Sequence, residues 1–148
     1  MLLAVLAGAG CDRTSRSADQ RTTHTLPLGK DTLRLGSGVA VLDVRLRQTP
    51  AGGAVEPDTV RAHPGDVVRF IAADPRGYAV AFDTAGLAPD AREFLERTGQ
   101  LRGPPLVSTG ATWVVSLEGA PSGTYAFHSL TADAQGLLLV QARVPARP

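Results

Sequence analysis

Residues 39–47, VAVLDVRLR, alternate in character. Ala40, Leu42, Val44 and Leu46 fall on one face and Asp43, Arg45 and Arg47 on the other, the pattern of a half-buried strand. The Gly- and Pro-containing run TPAGGAVEPD reads as a loop, residues 59–62 as a short strand, and His63-Pro64-Gly65-Asp66 as a turn. Residues 67–73 form the next predicted strand, with Val68, Phe70 and Ala72 on one side. Another follows over residues 78–83, where Tyr78, Val80 and Phe82 share a face. Residues 89–98, PDAREFLERT, predict the one helix. Pro89 and Asp90 suit its first turn, Phe94 and Leu95 its buried side, and Gly99 its stop. After a loop over GQLRGPPLVSTG, residues 111–117 place Trp113, Val115 and Leu117 on one face of a strand.

The last stretch, GTYAFHSLTADAQGLLLV, reads as a strand, a short loop and a final strand. Tyr125, Phe127 and Ser129 fall on one face, and Thr124, Ala126 and His128 on the other. Gly136 restarts a strand whose residues 137–140 are all apolar, the mark of burial on both faces. Phe70, Phe82, Trp113, Tyr125 and Phe127 are thus the expected core aromatics.

Composition narrows the reading without changing it. A chain of 148 residues suits one domain, and 16 Gly with 11 Pro favour a turn-rich all-β fold. A formal net charge of +1 argues against a nucleic-acid binder, which would need a basic face.

Residues 1–10, MLLAVLAGAG, are apolar and small, too short to cross a membrane as a helix. They resemble the end of a bacterial lipoprotein leader, residues 1–11, with Cys11 as the lipidated first residue of the mature chain. No Lys or Arg precedes the run, which a start further upstream would explain; the alternative is an ordinary apolar terminus with a chance Cys. The expectation is an exported bacterial protein, periplasmic or at the cell surface, tethered to a membrane only through that lipid. Cys11 is the single cysteine, so no internal disulfide supports the fold. Residues 12–38 are polar and without period, and read as a flexible tether carrying a solvated His24. The folded domain is expected over residues 39–146.

Three pieces occur in an order that resembles one family. They are the run VRAHPGDVVRFIAAD, the strand Tyr78-x-Val80-x-Phe82, and Gly123-x-Tyr125-x-Phe127-x-Ser129 before Gly136 and a last strand. Together they resemble cupredoxins, the plastocyanin-like copper proteins. The resemblance implies a cupredoxin-like Greek-key β-sandwich with one short helix. It also implies where the copper ligands should stand, and they are missing. Ser129 occupies the place of the family's copper-binding Cys, Ala132 that of a loop His, and Tyr78 that of the first His. Ala72 stands where the family has an Asn that braces the metal site.

A type I copper site needs two imidazoles, a thiolate and usually a weak axial Met. The only Met is Met1, the only Cys is Cys11, and the three His are His24, His63 and His128. His128 is the nearest to the site, but strand alternation turns it away from Ser129. The same alternation opposes Ser-His catalysis, and Asp66, Asp74 and Asp83 sit at strand ends and turns where Asp is common for backbone reasons. The expected function is a non-enzymatic module with a degenerate copper site and no cofactor, binding a protein or small-molecule partner. The alternative is a copper-binding electron carrier with His128 and Tyr78 among its ligands.

Overall fold

The computed structural model of the chain describes residues 25–28, 31–36 and 38–145. Its main body is two four-stranded sheets packed face to face. One sheet contains β3 (Val41–Thr49), β4 (Gly52–Glu56), β6 (Val67–Ala72) and β8 (Thr112–Ser116), in the spatial order β4-β3-β6-β8. The other contains β5 (Thr59–Ala62), β7 (Val80–Phe82), β9 (Gly123–Ser129) and β10 (Gln135–Val140), in the order β5-β10-β9-β7. The chain crosses between sheets after β4, β5, β6, β7 and β8, and each sheet contains one parallel pair, β3 with β6 and β5 with β10. The helix α1 (Pro89–Arg97) lies in the β7–β8 connection.

The period-two faces read from the sequence are the faces that meet. Val44, Leu46, Val68, Phe70, Val115 and Leu117 come inward from one sheet. Val60, Val80, Phe82, Tyr125, Phe127 and Leu138 come from the other. Phe127 meets Phe70 across the interface edge to face, ring centroids 5.0 Å apart. Trp113 is only half-buried; its ring stacks on Phe70 at 5.4 Å and lies flat over Gly103. The helix buries Ala91, Phe94 and Leu95 and ends, as its sequence implies, at Gly99 with φ +67°.

Four expectations need correction. The loop expected over residues 49–58 contains β4, which returns antiparallel along β3 with Arg45 opposite Glu56 and Thr49 opposite Gly52. Its two glycines and a single buried Val55 conceal the alternation of an edge strand. Residues 137–140 are not buried on both faces. Leu138 and Val140 point inward, while Leu137 is 41 % exposed, because β10 has the second sheet on only one side. Tyr78 lies outside any strand, bridged instead to Leu106, and β7 begins at Val80. Finally, the polar stretch assigned as a tether contains β1 (Thr25–Leu28) and β2 (Asp31–Arg34), which pair antiparallel with Leu28 opposite Asp31. Leucines at positions 26, 28, 33 and 35 keep a period of two on either side of Gly29, which overall polarity obscures. The expected leader, Cys11 and His24 lie outside the described residues.

Candidate functional site

Strand β9 runs inward-facing Tyr125 and Phe127 up to Ser129, its last residue, which stands opposite Val80. Ser129 is buried, and its backbone N–H donates to Ala134 O at 2.8 Å, folding the 130–134 loop back over the end of the sandwich. The Thr131 hydroxyl donates to Gly77 O at 2.8 Å, so its single proton is committed. At the 3.3 Å contact between Ser129 Oγ and Thr131 Oγ1, Ser129 is therefore the donor. Leu130 N–H donates to Ala79 O, so the residues flanking Tyr78 are held by the loop that follows Ser129.

Tyr78 is 1 % exposed. Its backbone exchanges two hydrogen bonds with Leu106, and its phenol donates to both carboxylate oxygens of Asp74 at 2.8 Å. Asp74 also accepts from Gln48 N–H at 2.8 Å, at the end of β3, and from Arg76 N–H at 3.0 Å. That carboxylate thus ties the end of β3 to the turn that leads into Tyr78. The Gln48 N–H bond, helped by Tyr78 and Arg76, holds Asp74 below the usual carboxylate range despite some burial. Burial first, then the hydrogen bond to Asp74 and its charge, push the Tyr78 phenol up to about 12.

Ala132 is half-buried against the backbone of Gly53 in β4; a Cβ at Gly53 would come within 3.0 Å of Ala132 Cβ. His128 lies on the other face of β9, opposite Ala81 and Gln135, beside Asp58 and Asp83 in an open groove. Tyr78, Ser129, Thr131 and Asp74 are therefore gathered at one end, and His128 is not among them. The contribution of Asp74 was missed in the sequence. The available signal was an acid four residues before an inward Tyr across a Pro-Arg-Gly turn.

These side chains do not fit a type I copper ion. Where the sequence resemblance expects a thiolate, Ser129 has a neutral hydroxyl donating to Thr131; where it expects the first imidazole, Tyr78 has a phenol kept protonated; and Ala132 offers no donor atom. Among the described residues, no three His, Cys, Asp or Glu side chains converge as a metal group would.

The two tyrosines give this arrangement a measurable signature. Tyr125 donates to Pro121 O at 2.7 Å, and burial with the nearby charge of Asp90 also pushes it up to about 12. Ultraviolet titration of the folded protein should show no tyrosinate until near that value, whereas the unfolded chain ionises near pH 10. Both pKa values are raised by folding, so their stabilisation is fully present below about pH 10 and lost as pH rises toward about 12. Tyrosinate appearing near pH 10 with native circular dichroism would contradict the buried phenols.

Comparison with protein-family models and with curated sequences returns no match. Solved structures do match. An oxidised plastocyanin from Dryopteris crassirhizoma is 19 % identical with a TM-score of 0.53, covering 67 % of this chain and 99 % of that one. A copper(I) form of an amicyanin variant is 18 % identical with a TM-score of 0.49, covering 72 % and 86 %. A purple cupredoxin from Nitrosopumilus maritimus is 17 % identical with a TM-score of 0.47, covering 68 % and 99 %. The plastocyanin match and the two-sheet topology with one helix show the fold: a cupredoxin-like β-sandwich.

Proposed function

We propose that this is a cupredoxin-like domain with a degenerate type I copper site, acting as a non-enzymatic binding or interaction module. It is exported and held at a membrane surface through lipidated Cys11. The observation that supports the first part is the Tyr78–Asp74 pair. Tyr78, where the sequence resemblance expects the first imidazole, is a buried ring with its hydroxyl fixed on a carboxylate rather than free to meet a metal. Ser129, with its hydroxyl turned to Thr131, supports it from the end of β9. Support for export is confined to residues 1–11, where small apolar residues lead to Cys11. A non-enzymatic role agrees with the alternation that separates His128 from Ser129.

Titration of the purified protein with copper(II), read by visible absorption and calorimetry, tests the reading. The expected result is no thiolate-to-copper charge-transfer band and no binding tighter than surface carboxylates and imidazoles give. Stoichiometric binding abolished by Tyr78→Phe or His128→Ala would overturn the degenerate site. It would favour the alternative of a copper-binding electron carrier.

A further inference from the structure

The opposite end of the same sheet holds a second constellation. β5 and β10 run parallel, with Ala62 beside Val140, so the chain leaves both strands at one place. Gln141 N–H donates to Ala62 O at 2.9 Å, and His63 Nδ1 lies 2.7 Å from Gln141 O. Because a carbonyl only accepts, the His63 proton sits on Nδ1. Beneath this junction Asp66 is 2 % exposed. Its carboxylate accepts from Ala40 N–H at 3.1 Å, His63 N–H at 2.8 Å and Arg143 Nη2 at 3.4 Å. Arg143 Nη2 also donates to Gly38 O.

Asp66 thus gathers three separate segments: residues 38–40 entering β3, the turn at 63–66, and residues 141–143 leaving β10. Between them is a cleft of about 450 Å³ lined by Gly38, Val39, Ala40, Arg61, His63, Asp66 and Arg143. Its hydrogen-bonding capacity is lopsided. The Asp66 carboxylate already has three donors. Arg61 has no acceptor among the described residues, and Arg143 places only Nη2 on acceptors among them, leaving Nε and Nη1. The charges are likewise unequal, two guanidinium groups around one buried carboxylate. A cleft rich in unused cationic donors and poor in acceptors favours a small anion over a cation or an apolar ligand.

We infer that this cleft binds a small oxyanion, a carboxylate or phosphate group, through Arg61 and the free donors of Arg143. It is independent of the proposed copper-site reading. β9 runs six residues from Gly123, beside Val140, to Ser129, a separation of about 20 Å at the rise of a strand.

The test is a two-dimensional amide NMR titration of the full chain with inorganic phosphate and, separately, with citrate, at ionic strength held constant with sodium chloride. Saturable shifts are expected at Ala40, His63 and Asp66 in the millimolar range, without change around Ser129. Arg61→Ala should weaken binding about tenfold, the effect of losing one charge-assisted hydrogen bond, while leaving the amide pattern of the core in place. Arg61→Gln, which keeps the chain length, should weaken it likewise and serves where the alanine variant fails to fold. Saturation by phosphate alone identifies a phosphate group, by citrate alone a carboxylate, and by both a general oxyanion site; each supports the inference. Linear, non-saturating shifts with both ions, or full affinity in a folded Arg61 variant, would overturn it.

Discussion

Phe127→Ala is expected to cost the domain about 3–5 kcal/mol, the range for a large aromatic removed from a packed core. Phe127 is buried at the centre of the sandwich, with Phe70 edge-on at 5.0 Å and Phe82 at 6.3 Å. Directly across on β10 is Gly136, and the ring rests on it: a Cβ there would lie 2.5 Å from Phe127 Cζ. Gly136 has no side chain to move into the space left by the ring, and Phe70 is itself held against Trp113. The void therefore remains largely open, which places the loss toward the upper part of the range. Denaturant unfolding followed by tryptophan fluorescence measures it, since Trp113 is the only tryptophan and packs on Phe70. A loss below about 1 kcal/mol would mean that the inward face of β9 is not the core, because only surface substitutions are that mild.

Much of this core was legible because it rests on a period of two. Val44 and Leu46, Val68 and Phe70, and Val80 and Phe82 are inward in both sequence and structure. Alternation fails where a strand is short of side chains. In β4, Gly52 and Gly53 carry none, and its pairing with β3 is visible only once β3 is in place. Leu137 and Leu139 fail differently: their apolar character suggested two covered faces, and composition alone does not say how many layers a fold has.

The burial of Tyr78 and Ser129 was legible in the sequence, and their bonds were not. Ser129 could be placed inward from the period of β9, and Tyr78 from the period of an expected strand that begins only at Val80. That Asp74 receives the phenol, and that Thr131 takes the Ser129 proton, depends on how two turns close. A turn Asp has backbone reasons to be where it is, so nothing in the sequence singled it out. The cleft around Arg61 and Arg143 was invisible for another reason. These residues are 82 positions apart and meet only because β5 and β10 are parallel neighbours.

Installing copper ligands should have the largest effect on metal chemistry. Tyr78→His, Ser129→Cys and Ala132→His together would supply two imidazoles and a thiolate at one end of the sandwich, the donor set a type I site requires. Ser129 is already buried at the end of β9, where a thiol replaces a hydroxyl with little change in shape. Tyr78→His withdraws the phenol from Asp74, whose two backbone N–H donors remain to hold the turn. Ala132 is half-buried against Gly53, so an imidazole there must turn away from the β4 backbone. No single substitution supplies more than one of the three donors, so the gain should come with the third.

Copper(II) titration of that triple variant beside the native protein and the three single variants is the decisive measurement, with circular dichroism confirming that each is folded. The expected result is a visible thiolate-to-copper charge-transfer band and tight stoichiometric binding in the triple variant, absent from the native protein and the single variants. A folded triple variant that binds copper no better than the native protein, or a native protein that binds it equally well, would contradict a copper site lost from a cupredoxin frame.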